Sequence, residues 1–278
     1  LLLPACGSLL SYLFLLTKYE AMGVLMVSCS PGGSFSNFFT FWCDGDLALS
    51  IVMTTFSSVL AFGGMPFNIW LYSRIWVDDD ESTPLVIPYS IITIALVFIT
   101  IPVAIGMIIR HFNQRVARII TQVASILGWL GCLLVMIIWM ILYWRVFLDA
   151  TPLLYLSAFL LPVLGFSIAY ILARILCRSH KVCRTIGIET GSQNMVVALS
   201  IILLSFKEPT VRASMLLFPT LYGMTLLIEI FIGITLFHAW RRYYRKSGED
   251  YYPDPHTATI EKGVDAEMTA LRHTTTSN

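Results

Sequence analysis

Eight stretches of the chain are apolar over the length needed to cross, or nearly cross, a lipid bilayer. They run from about 1–16, 19–42, 46–73, 86–109, 116–146, 151–177, 184–206 and 210–239. Short polar connections separate most of them, among them LTKYEA, WCDGD, WVDDDESTP, RHFNQRVAR and RSHKVCRT. A backbone surrounded by hydrocarbon has to satisfy its own amides and carbonyls, and a helix does so within a single segment. The pattern therefore predicts an all-α polytopic membrane protein with the lipid bilayer as its solvent. Composition agrees: 57% of residues are hydrophobic and 13% charged, against about 25% charged in soluble domains. The net charge of +1 gives no hint of a nucleic-acid partner. Beyond residue 239 the chain turns polar. Residues 1–239 read as the transmembrane region, and residues 240–278 as a disordered cytoplasmic tail.

Basic residues set the expected orientation. Arg110, Arg115 and Arg118, then Arg174, Arg178, Lys181 and Arg184, then Arg241, Arg242, Arg245 and Lys246 all fall on one side. The other side has Lys18, Arg74, Arg145, Lys207 and Arg212, together with the acidic run Asp78, Asp79, Asp80 and Glu81. The positive-inside bias assigns the first set and the C-terminus to the cytosol. The chain opens LLLPACGSLL, with neither a basic n-region nor a cleavage site. That opening reads as the middle of a membrane segment, so at least one earlier helix is expected to be missing. The six cysteines form no CxxC pair and no zinc-ligand spacing, which leaves buried free thiols as their reading. No GxSxG, HExxH or paired aspartates lie in the spans, so no catalytic residues are assigned and the chain is not expected to be an enzyme.

Two of the apolar segments are interrupted. SCSPGGSFSN, residues 28–37, puts Pro31, a glycine pair and five polar side chains inside the second segment. IETGSQN, residues 188–194, does the same in the seventh, with a carboxylate, Glu189, at membrane depth. Proline removes a donor and clashes with the preceding turn, so the first helix is expected to unwind there. Unwound backbone survives in a membrane only if buried in protein or lining a wet cavity. Interrupted helices in corresponding halves point to a transporter's midplane site. Exposed carbonyls, with Ser, Asn, Gln and Glu189, suit a small hard cation. Ser50 and Thr54, four residues apart, share one helix face in the intervening segment.

These stretches, CSPGGSFSN, DGDLALSIVMTT, GGMPFNIWLYSRIW and ETGSQN, closely resemble the bile acid:sodium symporter family, in order and over essentially all of residues 1–240. The resemblance implies an inverted-repeat fold of core and panel domains, with two discontinuous helices crossing near the membrane centre. Core helices would fall at about 1–73 and 151–239, and panel helices at about 86–146. It further implies one sodium site from Ser36, Asn37, Ser50, Thr54 and Glu189. A second would use Glu189 and Gln193, the carbonyls of Thr190 and Ser192, and a glutamine from a helix outside this sequence. Ser34 and Asn194 match positions near substrate. One departure stands out: Met195, Val196 and Val197 are apolar where familiar bile acid carriers are polar.

The expected function is sodium-coupled symport, by alternating access at the plasma membrane, of an amphipathic organic anion such as a bile salt or steroid sulfate. Sodium would be the coupling ion, with no other metal or cofactor. A seven-helix-type receptor is a different class, separated by the helix count of the intact chain. A relative that has lost transport and serves as a binding or scaffold protein is another, and the intact sodium ligands speak against it.

Overall fold

The computed structural model describes residues 2–76, 89–117, 119–120 and 144–246, with isolated helical positions between 123 and 141. Among them the helices are α1 (Leu2–Leu13), α2 (Lys18–Ser28), α3 (Ser34–Trp42), α4 (Leu47–Ser73) and α5 (Tyr89–Phe112). They continue as α6 (Trp144–Asp149), α7 (Pro152–Ile175), α8 (His180–Gly191), α9 (Met195–Ser205) and α10 (Pro209–Lys246). The chain forms two compact units, Leu1–Ile230 and Phe231–Asn278. Apart from the end of α10, everything described below lies in the first. Among the described residues three helices, at Leu47–Ser73, Pro152–Ile175 and Pro209–Tyr243, are long and apolar enough to cross a membrane alone.

Local chemistry accounts for most helix starts. TKYE is a capping box: Thr17 N donates to Glu20 Oε2 at 3.0 Å, and Glu20 N donates back to Thr17 Oγ1 at 3.4 Å. Asp46 caps α4 through Leu49 N at 3.0 Å, and Pro152 opens α7, where its missing N–H costs nothing. α8 begins at His180, four residues earlier than hydropathy predicts, because Ser179 accepts from Val182 N and starts the helix within the basic loop. α10 runs to Lys246, past the predicted end at 239. The Arg, Tyr and Lys residues there are too polar for the bilayer core but extend a helix readily. α6 overlaps the end of the expected span at 116–146 and the connection after it, and most of that span lies outside the described residues. So does the expected tail beyond Lys246.

The core of the first unit forms around α7 and α8, which pack closely. A Cβ added at Gly191 would lie 2.7 Å from the Pro162 carbonyl, so only glycine permits this approach. α1 lies against α2 and α7, α3 and α4 against α8, and α9 against α2 and α5. Met22, Leu25 and Met26 of α2, Ile201 of α9, and Phe218 and Tyr222 of α10 are fully buried. The outward faces of α4 and α7 expose Val52, Phe56, Ile171 and Ile175, as a lipid-facing surface does.

Candidate functional site

Both predicted interruptions are present. Residues 29–33 separate α2 from α3, and residues 192–194 separate α8 from α9. The unwound segments meet as an isolated antiparallel bridge, Gly32 opposite Gln193. Gly33 N donates to the Ser192 carbonyl, and Asn194 N to the Pro31 carbonyl, each at 2.8 Å. Each break thus supplies partners for main-chain groups freed in the other, which lipid could not do. The remaining groups are held by side chains. Gly32 N donates to Ser57 Oγ at 3.1 Å. Gln193 N donates to the Tyr222 hydroxyl at 2.9 Å, which in turn donates to the Gly191 carbonyl at 2.6 Å.

Glu189 sits one turn before the second break and is 4% exposed. Thr54 Oγ1 donates to its Oε1 at 2.7 Å, and Ser50 Oγ to its Oε2 at 3.1 Å. Ser50 is also 3.4 Å from Thr40 Oγ1 on α3. Ser36 is fully buried beside the carboxylate and donates to the Gly33 carbonyl at 2.7 Å. Asn37 follows on α3, and its Oδ1 is buried without a hydrogen-bond partner. Hydroxyl donors bring no positive charge, so they leave a buried carboxylate uncompensated. Hydroxyls and a carboxylate are hard oxygen donors, the kind that suits a small cation of low charge. Among the described residues no group of three or more His, Cys, Asp or Glu gathers, as a transition-metal site requires.

The residues expected at the second site adjoin the first. Gln193 Nε2 donates to the Thr190 carbonyl at 2.9 Å, and the Ser192 carbonyl accepts from Gly33 N. Both carbonyls therefore already hold one hydrogen bond and retain a lone pair. Asn194 caps α9 through Val197 N at 3.2 Å. Ser34 opens α3, but its side chain lies outside those described.

The profile of the Sodium Bile acid symporter family matches residues 1–149. The ileal sodium/bile acid cotransporter of Oryctolagus cuniculus is 35% identical over 253 residues, covering 91% of this chain and 71% of that protein. The Homo sapiens cotransporter of the same name is 35% identical over 246 residues, covering 88% and 69%. The Homo sapiens sodium-dependent organic anion transporter is 37% identical over 241 residues, covering 87% and 63%. This chain belongs to the sodium bile acid symporter family.

Two further residues hold the crossing of this symporter-family chain, and they differ in how far the sequence marks them. Ser57 continues the Ser50/Thr54 face by a further turn, so the spacing 50, 54, 57 carries a signal. Tyr222 has none, because a lone tyrosine in an apolar helix looks like any other core aromatic.

Proposed function

We propose that the protein is a sodium-coupled symporter of an organic anion of the bile-salt or steroid-conjugate class. The observation that carries this reading is the meeting of Glu189 with Ser50 and Thr54 beside two crossed helix breaks. One sodium binds among Ser36, Asn37, Ser50, Thr54 and Glu189, and the orphaned Asn37 Oδ1 supports that assignment. A second binds at Glu189 and Gln193 with the carbonyls of Thr190 and Ser192. The names of the relatives, sodium/bile acid cotransporters and sodium-dependent organic anion transporters, support the ion and the cargo class.

Coupling follows from charge. Sodium neutralises Glu189 and draws α3, α4 and α8 onto one centre. The anion then binds beside the crossing, with Ser34 and Asn194 at the starts of α3 and α9, where helix N-termini favour negative charge. A ligand shifts a conformational equilibrium only by its differential affinity for the two states. Sodium and anion therefore jointly favour the state that rocks core (about 1–73 and 151–239) against panel (about 86–146) in an eight-segment inverted repeat. The membrane potential adds about 2.3 kcal/mol per charge per 100 mV. We place the protein in the plasma membrane, with its C-terminus in the cytosol.

Uptake of radiolabelled taurocholate and of a steroid sulfate, in sodium and in choline medium, tests the reading. The expected result is uptake in sodium alone, abolished by Glu189→Gln at equal surface amount. Uptake indifferent to sodium would overturn the coupling, and no uptake of either anion would overturn the cargo class.

A further inference from the structure

A cavity of about 790 Å³ opens beside the crossing, within the size range of pockets that hold small organic ligands. Four hydroxyl side chains line it, Ser28, Ser30, Ser57 and Thr190, and each donates its hydrogen to a main-chain carbonyl of its own helix or turn, at 2.7–3.1 Å. What they offer a guest is lone pairs. Among the described residues Glu189 is the one charged group on the wall, and no Lys, Arg or His lines it. Such a surface accepts hydrogen bonds and offers no cationic side chain to pair with an anion. Met53, Leu60, Met65 and Phe67 form its apolar part.

Asn68 completes the wall from α4. It is 8% exposed, and its Nδ2 donates to the Gly64 carbonyl at 2.6 Å, which fixes which end of the amide is oxygen. Its Oδ1 is buried with no hydrogen-bond partner. Leaving such an acceptor unmet is costly, and a donor entering the cavity relieves the cost.

We propose that this cavity receives the uncharged, hydroxyl-bearing part of the transported anion, and that Asn68 is a specificity-determining residue accepting a hydrogen bond from that part. The inference rests on the organic-anion symport reading. It orients the cargo: its ionised group stays away from this wall, its apolar body lies on Leu60 and Phe67, and its hydroxyls face Asn68 and the serines.

The test measures sodium-dependent uptake in cells expressing the protein from its complete coding sequence, with surface amount followed by biotinylation. One substrate pair is a steroid 3-sulfate with and without a hydroxyl at the far end of the ring system. The other is a trihydroxy and a dihydroxy bile salt. The parent should favour the more hydroxylated member by about tenfold in KM, the scale of one hydrogen bond. Asn68→Leu should bring that ratio near one, with half-saturation by sodium unchanged. A Cβ on Gly64, which also lines the cavity, meets nothing within 4 Å. A side chain can therefore start here without a clash, and Gly64→Leu, compared at equal surface amount, should raise KM for all four anions, which tests the cavity should Asn68→Leu fail to reach the surface. A parent without preference, an Asn68→Leu protein that keeps it, or a Gly64→Leu protein with unchanged KM would each overturn the inference and leave symport standing. A parent with no sodium-dependent uptake would overturn the symport reading and this inference with it.

Discussion

The two helix breaks meet as partners, yet they are built on different principles. The first, residues 29–33, carries Pro31 and a glycine pair and contributes main chain to the crossing: the carbonyl of Pro31 and the amides of Gly32 and Gly33. Its following helix, α3, has Gly33 as its N-cap and so no side-chain cap. The second, residues 192–194, has no proline. It is held by side chains, with Asn194 capping α9, Gln193 folding back onto Thr190 and Tyr222 bridging Gly191 and Gln193. Glu189 stands one turn before it. One break is made by removing side chains so that backbone can approach; the other is made by side chains that replace the lost helix bonds. Conspicuousness in sequence is therefore a poor guide to consequence.

Gly32→Ala should have the largest effect. A Cβ there would collide with Glu189 Oε1, the oxygen that holds Thr54. The carboxylate can move, but only by leaving Thr54, so the damage should fall on the proposed ion site more than on the fold. Apparent sodium affinity should fall about a hundredfold, the upper range for losing a ligand's support, as measured by sodium titration of uptake. Gly33→Ala sharpens the contrast. Its Cβ would lie 3.0 Å from the Gln193 carbonyl oxygen, main chain against main chain with no flexible side chain to yield. Here the fold should suffer, by about 2–3 kcal/mol of overpacking, seen as lowered thermal stability of the purified protein. If the two variants lose sodium affinity and stability in the same proportion, the division between the neighbouring glycines is wrong.

Tyr222→Phe tests the second break in the same way. It removes one hydroxyl and leaves both Gln193 N and the Gly191 carbonyl without that partner in a buried place. Unmet buried polar groups cost about 1–3 kcal/mol, so a loss of about 2 kcal/mol should appear in thermal unfolding, with smaller effects on sodium titration than Gly32→Ala. A neutral outcome would mean that the second break holds itself together through Asn194 and Gln193 alone.

Much of this architecture is legible in the amino-acid sequence. Pro31 with its glycines, and Glu189 with Gly191 and Gln193, mark backbone that cannot continue as membrane helix. Ser50 and Thr54 share a face by spacing alone, and the fold turns that face to Glu189. What stays hidden depends on contacts between residues far apart in sequence. The antiparallel bridge joins positions 32 and 193, and Tyr222 reaches back to residue 191 from the middle of α10. Hydropathy also misplaces the start of α8, because it reads where lipid would be tolerated, whereas Ser179 decides where a helix can begin.

The smallest effect should come from the most conspicuous residue. Pro31 joins the crossing through its carbonyl, which accepts from Asn194 N, and any residue at this position supplies a carbonyl. The glycines carry the steric demand, since theirs are the Cβ positions already filled by Glu189 and Gln193. What proline adds is a restriction of the unfolded chain and a missing N–H, together about 0.5 kcal/mol at a compatible site. Pro31→Ala should therefore retain sodium-dependent uptake and sodium affinity within about twofold, with a slight drop in thermal stability. Should it instead fail as completely as Gly32→Ala, an alanine at 31 must let α2 wind onward through the break. The first interruption would then be held open by the proline ring, and not by the hydrogen bonds it exchanges with its partner.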